Sequence, residues 1–303
     1  MRARNQLVAK ILTSTMSDGF LIVNKVSGPT SHDVVAMARK KLQTKKVGHA
    51  GTLDPMATGV LVLGVGIGTK LLNFIVEGRK KYEATIRLGS STTTDDRQGE
   101  LLKEFDTSYI TDIEIEEALD KFCGKIMQRP SSVSAIKVAG KAAHERVRDG
   151  EEVILPAREV EIYDLKLVKI THNNGSIDVD IEVACSAGTY IRSIARDLGE
   201  ALNIGGHLKK LNRSEVAPFN IPESALLEDA KLISIADGIS RILPSRTLTP
   251  DEEREIFFGR PLSKSEVDVT AAFKSNGEFA ALLTNKEQGG KILSFPSLVN
   301  VQE

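Results

Sequence analysis

The chain has 303 residues, 41% of them hydrophobic, and its 40 Lys/Arg against 41 Asp/Glu leave a formal net charge of −1. That is enough apolar material for one large or two ordinary cored domains, and it excludes general disorder. Two cysteines, Cys123 and Cys185, exclude a disulfide framework and a four-cysteine zinc site. No apolar run approaches the roughly 18 residues a membrane helix needs, and no secretory leader is evident, so a soluble, cytoplasmic protein is expected.

The charge is unevenly spread. Residues 1–82 carry 13 Lys/Arg against 4 Asp/Glu, and the remainder carry 27 against 37. A basic block on a near-neutral chain suits a solvated surface or a face for a polyanion about equally well. The first fifteen residues hold Arg2, Arg4 and Lys10 and no acid. They fit a short disordered extension reaching to residue 18, a start at Met16, or a transit peptide.

In chain order, Phe20 to Val23 reads as a short buried strand. Ser31 is placed to cap a helix whose apolar face is Val34, Val35, Ala38 and Leu42, with Arg39, Lys40, Lys41, Lys45 and Lys46 around its end. Val60 to Val65 and Tyr82 to Leu88 are two further strands. Thr111 and Glu114 form a capping box ahead of Ile115, Leu119 and Phe122. From Ser176 to Cys185 apolar residues alternate with polar ones, as in an antiparallel strand with one polar face, and this makes Cys185 a core residue. Strands and helices mix without regular βαβ spacing, so the fold class is α+β with a mixed, largely antiparallel sheet. A boundary is expected near Pro244 to Arg246, giving a main domain over 19–245 and a small one over 246–303. Thr249, Pro250 and Glu252 open a helix that Gly259 closes, and short strands broken at Asn276-Gly277 and Gly289-Gly290 make the second domain mainly β.

Several chemistries fail on spacing. Gly64, Gly66 and Gly68 do not make a dinucleotide fingerprint, and Thr69-Lys70 inverts the order a P-loop needs, so a strand ending in a glycine turn accounts better for Gly59 to Lys70. The five histidines never fall at close ligand spacing, so no metal is expected. Asp95 and Asp96 stand in a Ser/Thr-rich loop of the kind that is usually solvated. Asp54 followed by Pro55 fits the cap and first residue of a short helical turn, a bland role compatible with a carboxylate held ionised by backbone N–H groups.

The stretch Gly48-His49-Ala50-Gly51-Thr52-Leu53-Asp54-Pro55-Met56-Ala57-Thr58-Gly59-Val60-Leu61 resembles the signature of the tRNA pseudouridine-55 synthase family (bacterial tRNA pseudouridine synthase B), related also to the guide-RNA-dependent H/ACA enzymes. Asn24 to Ser31 resembles that family's amino-terminal motif, with Val26 where a proline is usual. Lys80 to Ala84 resembles its tyrosine motif, Gly188 to Ser193 its arginine motif and Leu208 to Arg213 its late leucine motif. Gln128 to Gly140 also fits, with Pro130-Ser131 where two prolines are common, a departure expected to affect loop shape more than chemistry. The resemblance runs from about Gly19 to Phe219.

It implies a pseudouridine-synthase catalytic domain followed by a PUA-like RNA-binding domain. The enzyme would isomerise uridine to pseudouridine in the tRNA T-arm, at position 55 or at another target of the family, and need no cofactor. The base must leave the stack to reach a carboxylate. Asp54 is the implied catalytic residue and Arg192 its partner. Tyr82 would stack on the base and relay a proton, Tyr190 would line the pocket, and Leu211 would be its apolar wall. His49 would hold the T-loop, and Lys25 would contact RNA or brace the loop. Arg39 to Lys46 and Arg79 to Lys81 would grip phosphates. The partner is tRNA, with no membrane and no obligate protein partner, and a monomer is the default. A tRNA-folding factor whose catalysis is incidental is the rival from another class.

Overall fold

The computed structural model describes residues 18–133, 137–138, 141–142, 146, 153 and 155–299. The amino-terminal extension and the later part of the Gln128–Gly140 segment lie outside the described residues. In chain order the elements are β1 (Gly19–Lys25), α1 (Ser31–Leu42), β2 (Val47–His49), β3 (Thr58–Val65), α2 (Gly68–Val76), β4 (Lys80–Leu88), β5 (Ser90–Thr92), β6 (Leu101–Glu104), α3 (Asp112–Asp120) and β7 (Gly124–Gln128). Then come a small hairpin, β8 (Lys137–Val138) and β9 (Lys141–Ala142), and β10 (Arg158–Asn173), β11 (Ser176–Cys185), α4 (Ile191–Ala201), β12 (Gly206–Val216), β13 (Phe219–Asn220), β14 (Leu232–Ser234) and α5 (Ile235–Ser240). The chain continues through β15 (Ser245–Thr247), α6 (Pro250–Phe257), β16 (Leu262–Ser263), β17 (Val269–Phe273), β18 (Phe279–Gln288) and β19 (Lys291–Val299).

The main sheet runs β14-β1-β3-β12-β4-β11-β10-β7, with β2 added to β3 and β13 to β12. Its pairings are antiparallel except where β12 meets β3, at Asn212–Thr58 and Arg213–Gly59. That short parallel contact needs a glycine. Gly59 has φ +103°, and a Cβ there would stand 2.3 Å from the Arg213 carbonyl oxygen. The period-two pattern of β1 and β3 splits their side chains between two cores. Leu21, Val23, Leu61 and Leu63 join Tyr82, Ala84 and Ile86 on one face, packed under Val34, Val35 and Ala38 of α1, Ile115 and Leu119 of α3 and Ile194, Ala195 and Leu198 of α4. Phe20, Ile22, Val60 and Val62 face the other way, against Leu71 and Ile75 of α2, Ile235 and Ile239 of α5, and Ala271, Phe279 and Leu282 of the second sheet. That second sheet, β15-β17-β18-β19-β16, has a small core of its own around Leu248, Ile256 and Leu283.

Three local expectations are corrected. Thr30, not Ser31, caps α1: its hydroxyl accepts from Asp33 N, and the Asp33 carboxylate closes a capping box. Ser31 is the first helical residue, and its hydroxyl is turned inward. The glycine turn after β3 leads into a full helix, α2, which has no side-chain cap. No helix starts at Pro55: the Ala57 N–H donates to the Asp54 carbonyl at 3.0 Å, closing a single turn.

Candidate active site

The loop between β2 and β3 carries Asp54, and buried groups fix its backbone almost carbonyl by carbonyl. Leu53 and Met56 are sunk in the core as anchors. The Leu53 N–H donates to the Ser31 hydroxyl at 2.8 Å, and the hydroxyl returns a bond to the Leu53 carbonyl at 3.2 Å. Lys25, at the end of β1, is 1% exposed. Its ammonium donates to the carbonyls of Ala57 at 2.7 Å, Pro55 at 3.2 Å and Asp54 at 3.3 Å, with Val26 at 3.0 Å. Arg213, also 1% exposed, reaches back from β12. Its Nε donates to the Val60 carbonyl at 2.8 Å, Nη2 to Gly51 at 3.1 Å and Nη1 to Thr52 at 3.4 Å. Two buried cations thus hold the loop from below by charge-assisted hydrogen bonds. Burial pushes the Lys25 ammonium down to about 8, with Asp54 opposing the fall and Arg213 adding to it.

The Asp54 carboxylate is turned away from this scaffold toward α4. Arg192 Nη2 donates to Oδ1 at 3.0 Å, and Nε lies 3.0 Å from Oδ2, an ion-pair contact in which the N–H does not aim along a hydrogen bond. The Asp54 side chain is 26% exposed and that of Arg192 5%, so the pair is open on the carboxylate side only. Burial pushes the Asp54 carboxyl above the ordinary aspartate range; the Arg192 guanidinium opposes this, and Asp96 adds to it. The carboxylate is therefore held in direction by a guanidinium, not by the backbone N–H groups expected of a helix cap.

Arg192 is itself fixed on every side. Its Nη1 donates to the Thr94 carbonyl at 3.0 Å and to the Ser131 hydroxyl at 3.4 Å, and Nη2 to the Val133 carbonyl at 2.9 Å. Asp96 Oδ2 lies 3.8 Å from Nη1. Two sequence expectations change here. Asp96 is 4% exposed and belongs to the site, whereas its Ser/Thr-rich setting suggested a solvated loop. Ser131, read as a matter of loop shape, is fully buried with its hydroxyl on Arg192.

The other candidates are placed as follows. Tyr82 lies in β4, 7% exposed, in the same core as Leu53, Met56 and Leu211. Burial pushes its phenol up, with the nearby Arg213 charge opposing the rise, so the hydroxyl is neutral. Leu211 pairs with Ala84 of β4 in the register of β12. Beside the loop opens a cleft of about 530 Å³ whose walls include Met56, Thr58, Ala84 and Leu211. Asp54 and Arg192 are not in its walls, so the cleft meets this loop at Met56, next to Thr58 at the start of β3. The Tyr190 backbone is clamped by Gln128, which accepts from its N–H at 2.8 Å and donates to its carbonyl at 3.1 Å, and its ring lies against the Arg158 guanidinium. His49 packs edge-on to His32, centroids 5.1 Å apart, and burial with the nearby charges of His32 and Arg213 lowers its basicity. Lys25, a candidate RNA contact, is committed to carbonyls beneath the loop. Among the described residues no group of three or more His, Cys, Asp or Glu side chains is placed to hold a metal ion.

The family model described as TruB family pseudouridylate synthase (N terminal domain) matches residues 39–191, which include Asp54, Tyr82 and Asp96 and stop one residue short of Arg192. A protein of Corynebacterium efficiens named tRNA pseudouridine synthase B is 47% identical over 276 residues, covering 89% of this chain and 93% of its own. The protein of that name from Arthrobacter sp. (strain FB24) is 46% identical over 286 residues, covering 89% and 94%. The chain belongs to the TruB family of pseudouridylate synthases. Among solved structures, a chain of an H/ACA RNP bound to a substrate RNA containing 2′-deoxyuridine superposes with a TM-score of 0.69 at 21% identity, over 94% of this chain and 85% of that one. A chain of a Cbf5-Nop10-Gar1 complex gives 0.67 at 23%, over 94% and 84%. These structures share the fold of this synthase.

The basic block is only partly available to a ligand. Arg39 donates to the Val47 carbonyl and Lys41 to those of Leu227 and Glu228. Lys80 is 6% exposed, its ammonium on the Val76 and Gly78 carbonyls, and Arg79 and Lys81 both pair with Glu215. Arg39 and Lys41 are exposed even so, as are Lys40, Lys45 and Lys46.

Proposed function

We propose that this synthase converts the uridine at position 55 in the T-arm of tRNA to pseudouridine, with Asp54 as its catalytic residue. The observation that carries the reading is the Asp54–Arg192 pair: a carboxylate braced from behind by a buried guanidinium and open on its other side. The names of the curated relatives support tRNA as the substrate.

The reaction breaks the bond between N1 and the ribose C1′, turns the uracil, and joins C5 to C1′. The proton lost from C5 balances the one gained at N1, so no oxidant, reductant or group donor enters. A base inside a stem-loop cannot meet a carboxylate in the protein, so it is flipped out at a cost of a few kcal/mol, about the price of unstacking. Asp54, ionised, presents one oxygen to the flipped nucleotide as nucleophile or base. Tyr82 offers its ring to the uracil and a neutral hydroxyl for the proton that moves. Leu211 and Met56 form the apolar wall, which keeps water from the separated base. His49, at the start of the loop, and Tyr190, at the start of α4, flank this centre and support the RNA.

The test is to incubate an unmodified T-arm stem-loop transcript with the purified protein and map pseudouridine. Conversion confined to the T-loop uridine is expected. A full-length tRNA converted at another position, with the stem-loop untouched, would contradict the assignment.

A further inference from the structure

The arginine that braces Asp54 has a counterpart one helical turn along α4, and both arginines meet the same loop. Arg196 Nη1 lies 3.3 Å from Asp95 Oδ2, and Arg192 Nη1 lies 3.8 Å from Asp96 Oδ2. Residues four apart on a helix share a face, so Arg192 and Arg196 present a two-toothed edge. Consecutive residues of an extended loop point to opposite sides, so Asp95 and Asp96 cannot both meet that edge without a break in the backbone. The break is at Asp95, whose φ is +58°, a left-handed conformation that aspartate tolerates better than most residues.

The remaining contacts show what this arrangement holds. Asp96 Oδ1 accepts from the Thr94 hydroxyl at 2.7 Å and from the Gln98 N–H at 2.9 Å. On the other side of the loop the Leu208 N–H donates to the Asp95 carbonyl at 2.9 Å and the Arg97 N–H to the Leu208 carbonyl at 3.0 Å. The loop is thus pinned to β12 by its backbone and to α4 by its side chains. The Arg192–Asp96 contact is the longer of the two, and the shorter Arg196–Asp95 contact lies where it would set that distance. Both side chains of the outer pair are largely buried, at 13% and 16% exposure, which shields it from the screening that weakens surface pairs. Arg196 also contacts the Asp197 carboxylate, the Glu200 carboxylate at 3.9 Å and the Arg129 carbonyl, so its guanidinium is held in place before Asp95 reaches it.

We propose that Asp95 and Arg196 are positioning residues of the synthase, which hold Asp96 against Arg192 and through it set the direction of the Asp54 carboxylate. The inference rests on the reading of Asp54 as the catalytic residue.

The experiment measures single-turnover conversion of a T-arm stem-loop and, separately, RNA affinity. The proteins are wild type, Asp95→Asn, Arg196→Met, Arg196→Lys, Asp96→Asn and the Asp95→Asn/Asp96→Asn double variant, with thermal melting as a check on folding. Asp95→Asn and Arg196→Met should each slow conversion by about 3- to 30-fold at unchanged affinity. Arg196→Lys should restore most of the rate, and Asp95→Asn should cost nothing further once Asp96 is already Asn. Wild-type rates in folded Asp95→Asn and Arg196→Met would overturn the proposal. So would a joint loss of rate and affinity, or losses that multiply in the double variant. Should Arg196→Met fail to fold, Asp95→Asn, which keeps the left-handed turn, decides alone. A wild-type protein that binds but converts nothing would sink the catalytic reading itself, a result distinct from active variants.

Discussion

At Asp54 burial and pairing pull in opposite directions. Burial raises the carboxyl above its ordinary range, and the Arg192 guanidinium, 3.0 Å from each oxygen, draws it back toward ionisation. Only the ionised form serves as nucleophile or base, so the rate should climb with pH along an acid limb displaced above the ordinary aspartate range. Replacing Arg192 with Met removes the group that lowers this pKa, so the limb should move further up, as a pH profile of single-turnover rates will show. Arg192→Lys keeps the charge but loses the two-point fit, and a rate loss on the order of 10²-fold is expected. Asp54 and Arg192 were legible in the sequence because each sits in a motif with a family resemblance. Asp96 and Ser131 were not: their meaning depends on α4 arriving much later in the chain, 61 residues after Ser131 and further still after Asp96, to place a guanidinium against them. Polar residues in a loop carry no mark of the partner that will bury them.

The elements that carry the site are joined by buried cations, and this is where local pattern said least. Lys25 and Arg213 come from β1 and β12, strands that flank β3, and both reach under the loop between β2 and β3 to its carbonyls. Arg213→Met would leave the Gly51, Thr52 and Val60 carbonyls without this donor. A loss of about 2–4 kcal/mol in urea unfolding is expected. Lys25 makes a signed pH prediction. Its folded value of about 8 lies below the unfolded 10.5, so between those pH values the unfolded chain binds the extra proton and wild-type stability rises with pH. Lys80, at about 8, adds to the same window. Against wild type, Lys25→Met should show a smaller rise in stability from pH 8 to 10.5 and a lower rate at all pH values. Strands β1, β3, β4 and β11 were readable from apolar runs and alternation. Helix α2 was hidden because it begins on the last of three alternate glycines and starts without a capping side chain. The Thr30 cap was missed by one residue because Ser31 beside it is an equally good capper by type. The structure uses Ser31 to bond Leu53 instead.

Over the whole molecule, the charge asymmetry of the sequence partly dissolves in the fold. Arg39 and Lys41, though exposed, place donors on carbonyls, the buried Lys80 does the same, and Arg79 and Lys81 pair with Glu215, while Lys40, Lys45 and Lys46 are exposed beside α1. Neutralising those three should weaken RNA binding, raise KM and leave kcat unchanged. If each meets a phosphate, the slope of log affinity against log salt should fall by about 0.7–0.9 per contact. The second sheet was anticipated from turn signals at Asn276-Gly277 and Gly289-Gly290, and it packs Ala271, Phe279 and Leu282 into the same core as Phe20 and Val60. The central claim is that Asp54 performs chemistry and does not merely shape a loop. Its most direct test compares Asp54→Asn with wild type in single-turnover conversion and RNA binding on one T-arm stem-loop. Asn keeps the shape and removes the charge, so binding should persist while conversion falls below detection. Conversion by Asp54→Asn at the wild-type rate would contradict the account.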